Sequence, residues 1–255
     1  MVGSYVFSHA LRDFARARRL LVWCFVAIVV YGIGVAYVRV SGTPSRQDSY
    51  ILLSAALSYR ILALAAAIFA SAVVTQEVEG KTIVYLLTRP VPRQALLLGR
   101  ALAAALVVYA VSAISAIAVS FATLGGFSTL LMKDLIALAI GALAYTGLFT
   151  LISLIVNRAM MASLLFAFGW ETLAAGMPTG DIRLLTLNTH VMAIADRPTP
   201  EGGTGFLDAV GSMLGSGGVS ASVAWMVLVG VIAVTLSASM AWFAHFEYTA
   251  REDAE

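Results

Sequence analysis

Charge is scarce in this chain: Asp, Glu, Lys and Arg make up 12% of its 255 residues, about half the share usual in a soluble domain. Hydrophobic residues make up 60%, so a solvated globule is excluded and a membrane protein is implied. The single cysteine, Cys24, rules out an intramolecular disulfide and leaves the redox compartment unread. His9, His190 and His245 fall in segments assigned to different places, so no metal site or bound cofactor is expected. The net charge of +2 says little by itself, and the basic residues sit where membrane topology puts them, which gives nucleic-acid binding no support.

What the chain does have is long apolar runs. Segments 20–38, 51–75, 95–122, 135–156, 160–177 and 221–246 each approach the ~20 residues that span a hydrocarbon core of ~30 Å. Unpaired backbone is too costly in lipid, and the alternating signature of barrel strands is missing. The fold class is therefore an all-α membrane protein, one transmembrane domain over residues 1–255 with six spans. The third span is long enough for its cytosolic end to project from the lipid. The first ends in Tyr37, Val38 and Arg39 with no small-residue cleavage site, and reads as a retained helix.

Orientation follows from Lys and Arg in the short loops. With the N-terminus inside, the inner face holds Arg12, Arg16, Arg18, Arg19, Lys81, Arg89, Arg93, Arg100, Arg158 and Arg251, and the outer face only Arg39, Arg46, Lys133, Arg183 and Arg197. Both termini are placed in the cytosol. Ahead of the first span, Phe7, Ala10, Leu11 and Phe14 recur at i, i+3, i+4 and i+7 while Arg12, Asp13, Arg16 and Arg19 take other faces. This pattern predicts an amphipathic helix over 4–19, N-capped by Ser4, with its aromatic face in the headgroup boundary.

Between the second and third spans lies a polar stretch, 76–94. Glu77 and Lys81 stand at i, i+4, Gly80 allows a bend, and Ile83, Leu86 and Leu87 form an apolar stripe. Pro90 pushes Arg89 out of the helical region before Pro92 starts the next helix. The expected product is a short amphipathic helix across the cytosolic end of the bundle, and the alternative is a solvated loop. Gly80, Lys81 and Thr82 copy the tail of a phosphate-binding loop, but Thr75 stands where the first glycine belongs. The chain is not expected to carry a nucleotide site.

At these residues the sequence resembles the membrane subunit of ABC transporters of the ABC-2 type. The matching elements are Glu77, Glu79, Gly80, Lys81, Thr82, Leu86, Leu87, Arg89, Pro90, Val91, Arg93 and Gly99, with Arg100 where Lys is common. The likeness is greatest to the branch that includes permeases of copper-enzyme maturation and gliding motility. The resemblance implies a permease of a bacterial or archaeal cytoplasmic (inner) membrane, most often an exporter. It would pair with a second permease copy, identical or related, and with two cytosolic ATPase subunits that bind ATP and Mg. Glu77, Glu79, Gly80, Lys81, Thr82, Leu86, Leu87, Arg89, Pro90 and Arg93 would then couple the ATPases to the membrane helices.

Two ionisable residues lie inside apolar spans, Arg60 about nine residues from the outer end of the second and Glu171 about six from that of the fifth. Intramembrane charges usually face the interior or line a pathway, so the two are expected to pair or share a polar cavity on the transport path. The alternative is Arg60 snorkelling outward and Glu171 ending a shorter helix. The loop 178–220 is long for a bundle connection. Its Ile182, Leu185, Thr189 and Met192 suggest a helix against the outer surface, either a gate or a cap over helix ends, followed by a Pro- and Gly-rich turn from Arg197 to Gly205. A rhomboid-like protease would need a histidine deep in a span, a channel a filter or charged ring, and a secondary transporter repeated halves with broken helices. A secondary transporter or a scaffold without an ATPase partner is the alternative reading of function.

Overall fold

The computed structural model describes residues 2–14, 17–41, 45–79, 93–176, 185–197 and 219–245. Among these, all regular structure is helical. The helices are α1 Val2–Phe14, α2 Ala17–Ser41, α3 Arg46–Leu53, α4 Tyr59–Glu79, α5 Arg93–Thr123, α6 Thr129–Ile155, α7 Ala159–Leu164, α8 Glu171–Gly176, α9 Leu187–Ile194 and α10 Ala221–His245. A π-helical turn, Ser54–Ser58, joins α3 to α4, and a second, Leu165–Trp170, joins α7 to α8. Five helical stretches are long and apolar enough to cross a membrane: Leu21–Val40, Arg46–Val73, Gln94–Thr123, Thr129–Ile155 and Ala221–His245. The apolar helix Ala159–Ala174 is shorter.

Local chemistry explains most boundaries. Ser45 and Ser128 cap α3 and α6 by accepting from Asp48 N and Leu131 N, each at 3.2 Å, so α6 starts six residues before the apolar run does. Gly125, at φ +80°, stops α5, with its N–H and that of Leu124 both turned back to Ser120 O. At 31 residues α5 is about 46 Å long at ~1.5 Å per residue, longer than the hydrocarbon is thick. The N-terminal helix is described over Val2–Phe14, and α2 over Ala17–Ser41.

α4, α5 and α6 form the centre of the bundle, with α10 against α6 and α2 against α5. Their interfaces are built on alanine: Ala65, Ala66, Ala67, Ala103, Ala104, Ala116, Ala137 and Ala144 are all fully buried. Small residues let helix backbones approach closely where lipid supplies no hydrophobic drive between helices. At Gly147 of α6 an added Cβ would stand 2.6 Å from Thr235 Oγ1 of α10. That hydroxyl is held by Val231 O at 2.7 Å and cannot swing aside freely. Gly147→Val should therefore separate α6 from α10 and cost about 1–3 kcal/mol, read as a lowered melting temperature. Gly32, with nothing within 4 Å, is the control position, where alanine should be neutral.

α2 is different. Leu21, Val22, Phe25, Ile28, Tyr31 and Val40 are exposed along its length, so it sits at the edge of the fold.

Candidate functional site

The predicted coupling residues divide at the edge of the described structure. Glu77 and Glu79 lie in the last turn of α4, and Arg93 opens α5. Gly80, Lys81, Thr82, Leu86, Leu87, Arg89 and Pro90 lie outside the described residues. What the structure does define is the pair of helices to which that segment is attached.

α4 and α5 pack along each other and are bound by a buried guanidinium. Arg100 Nε donates to Val73 O at 2.9 Å, reaching from the second turn of α5 to a carbonyl near the end of α4. Its guanidinium carbon also sits 5.8 Å from the centroid of the Phe14 ring, a cation–π distance. Phe14 is fully buried and meets Phe69 of α4 edge-on at 6.1 Å, and Phe69 in turn lies 6.1 Å from Trp23 of α2. Ala10 is buried, while Phe7 and Leu11 are partly so. The aromatic face of α1 is thus turned to protein, a correction to the headgroup placement expected from its amphipathic pattern. A phenyl ring over a desolvated guanidinium gains more than one in the interface, because burial strengthens the electrostatic contact.

A second cluster occupies the opposite end of the bundle. Asp134, near the start of α6, is fully buried. Its Oδ2 accepts from Tyr50 OH at 2.6 Å and from Arg197 Nη2 at 2.5 Å, and its Oδ1 from Tyr59 OH at 2.8 Å and Arg197 Nε at 3.2 Å. Arg197 Nη2 also donates to Ser54 Oγ at 3.3 Å, and the guanidinium lies 5.0 Å from the Tyr50 centroid. Burial opposes the charge on Arg197, yet the hydrogen bonds and charge of Asp134 outweigh it and hold its pKa above the ordinary arginine value. Beside this pair, Lys133 Nζ and Asp196 Oδ2 meet at 2.5 Å. Asp196 adopts φ 51°, a left-handed cap after α9 that turns the chain and aims Arg197 back at α6.

α9, the helix that precedes this arginine, is anchored at its N-terminal end by Glu171. One carboxylate oxygen accepts from Leu187 N at 3.1 Å and the other from Asn188 N at 3.3 Å, so a buried acid satisfies two of the open N–H groups at the start of α9. Tyr145 lies close enough for its phenol to interact with the same carboxylate. Arg60 does not pair with it directly. Arg60 Nη1 donates to Thr172 Oγ1 at 2.9 Å, with its charge in electrostatic reach of Glu171. The structure thus brings Arg60 and Glu171 to one neighbourhood while giving each its own partner.

In the outer loop, the expected surface helix is instead a buried one. Leu187, Val191, Ala193 and Ile194 are inside, along with Thr189 and His190. Val191 lies within 3.1 Å of the position a Gly141 Cβ would take. Leu185 is exposed and precedes the helix, and Ile182 lies outside the described residues. Arg197, the first residue of the expected Pro- and Gly-rich turn, is held in the ion pair with Asp134, and residues 198–205 lie outside the described residues. Nothing in the linear spacing joins Asp134 to Arg197, 63 residues apart; the only signal was the presence of an acid in a span entrance and a base in a loop.

The described residues form an all-α bundle of apolar helices with a buried guanidinium toward one end and a buried ion pair toward the other. The model of the ABC-2 family transporter proteins matches residues 14–171, more than half of the chain, and the protein belongs to that family. It is a transmembrane permease component of an ABC transporter. The match identifies the family and no branch within it. No curated protein matches the chain.

Proposed function

We propose that the protein moves a substrate across the cytoplasmic membrane as one of two permease copies, driven by ATP hydrolysed on two separate cytosolic ABC ATPase subunits. Export is the direction that the family resemblance implies. The termini and segment 76–94 face the cytosol, and Glu77 through Arg93 receive the ATPase motion. Arg60 and Glu171 lie along the transport path.

The observation that carries this reading is the corner at Arg100. The two helices that flank the segment are bound to each other by the Arg100 to Val73 bond and wedged by Phe14. A push on the segment therefore moves α4, α5 and α1 together instead of being absorbed by a loose loop. Two rigid elements with a shared lock form the kind of unit that converts a local displacement into a bundle rearrangement.

The test is co-expression with a cytosolic ABC ATPase subunit. The wild-type chain should co-purify with it and alter its hydrolysis rate, and the paired substitution Glu79→Ala with Arg89→Ala should lower that effect about tenfold, as expected for loss of one or two charge-assisted contacts. Unchanged binding and unchanged hydrolysis in the double variant would reject the coupling role. A chain that transports with no ATPase present would instead be a secondary transporter.

A further inference from the structure

Arg60, Arg100, Asp134 and Glu171 are four charged side chains of the apolar helices among the described residues. Three are buried and well provided with partners. Asp134 takes four hydrogen bonds, Glu171 takes two backbone N–H groups beside Tyr145, and Arg100 holds Val73 O and the Phe14 ring. Arg60 is the exception among the described residues. Its one hydrogen bond goes to a neutral hydroxyl, Thr172 Oγ1, and a guanidinium has five N–H donors to satisfy. It stands at the middle of the apolar stretch Arg46–Val73, about 20 Å along the helical rod from Arg46 at ~1.5 Å per residue.

Its surroundings face outward. Thr172 is exposed, and along the same helical stretch Leu165, Phe168 and Leu173 are exposed as well. Both π turns end immediately before the polar residues in question, Ser54–Ser58 ahead of Tyr59 and Arg60, and Leu165–Trp170 ahead of Glu171 and Thr172. A π turn inserts a residue into the helix and so rotates the residues after it, a device found often at functional sites. Here the two rotations set Glu171 inward and leave Arg60 and Thr172 together at an apolar surface.

We propose that Arg60 and Thr172 bind the acidic group of an amphiphile, a phosphate or carboxylate on an apolar body, and that this amphiphile is the cargo. An incompletely satisfied cation flanked by exposed apolar side chains complements that chemistry at both ends: the guanidinium takes the anion in a fork of donors, and Leu165, Phe168 and Leu173 cover the tail. A neutral lipid would leave the guanidinium donors unmet. The proposal rests on the reading of Arg60 as part of the transport path, and names what passes it.

The test uses the purified full-length chain without an ATPase, so its outcome is separate from that of the coupling reading. Retention of dodecyl phosphate is measured by native mass spectrometry against a dodecyl glucoside control of the same chain length. Wild type should hold one dodecyl phosphate, Arg60→Gln should bind it about tenfold or more weakly, and Arg60→Lys and Thr172→Val should fall between. The glucoside should not distinguish the variants. Arg60→Lys keeps the charge, so it reports on the site even if Arg60→Gln folds poorly. Equal retention of dodecyl phosphate by wild type and by both Arg60 variants would overturn the proposal. So would phosphatidylglycerol that stays with wild type through purification, is lost from Arg60→Gln, and blocks dodecyl phosphate, because the site would then be a resident lipid's.

Discussion

Asp134→Ala lowers the stability of the purified chain by about 3–5 kcal/mol, the usual effect of removing one member of a buried ion pair. The variant leaves Arg197 with Ser54 Oγ and the Tyr50 ring as its remaining neighbours, an uncompensated cation in the interior. Arg197→Ala should cost less, because the carboxylate it leaves behind still receives the Tyr50 and Tyr59 hydroxyls at 2.6 and 2.8 Å. Tyr59→Phe removes one hydrogen bond to a charged acceptor and should cost about 1.5–3 kcal/mol. The double replacement Asp134→Leu with Arg197→Met should recover most of the loss, since an apolar pair removes both desolvation penalties together. Thermal melting of the four variants in one detergent gives the ranking. If Asp134→Ala melts within a degree of wild type, the network does not hold α9 to the bundle.

The second large effect is expected at the other end. Phe14→Ala deletes a fully buried ring that touches Phe69 and covers Arg100. Buried Phe→Ala changes cost about 3–5 kcal/mol, and this one also leaves the Arg100 guanidinium without its cation–π partner. α1 should lose its seat, so protease cleavage near residue 14 becomes faster, and the ATPase response to the permease falls further than stability alone explains. Phe14→Leu should retain most of the seat. Phe7 is the contrast, because it is only partly buried and Phe7→Ala should have a much smaller effect. Equal protection of α1 in Phe14→Ala and wild type would return this helix to the headgroup layer.

Much of the fold was readable from composition and periodicity. Lipid enforces internal hydrogen bonding, so each apolar run could only be a helix; five of the six runs fall on helices long enough to cross a membrane, and the run 160–177 falls on the shorter helix Ala159–Ala174. The stripe Phe7, Ala10, Leu11, Phe14 was equally legible as one face. Its partner was not, because an amphipathic face fits a membrane surface and a protein groove alike. Arg60 and Glu171 were found because charge within an apolar span is rare. Their separate partners, Thr172 and the start of α9, could not be foreseen, since the π turns that rotate them leave no mark in a period of 3.6 residues.

The sequence by itself determined that this protein is a helical membrane protein, through apolar run lengths set by bilayer thickness, and its resemblance to ABC-2 permeases from Glu77 to Arg100 pointed to the family that matches residues 14–171. Tertiary structure alone decided which charges meet. Arg197 looked like one more loop residue until the left-handed turn at Asp196 and the capping of α9 by Glu171 folded it onto Asp134. An ion pair between distant segments depends on where two helices are packed, and that packing is chosen by many small contacts acting together, none of which is written at either residue.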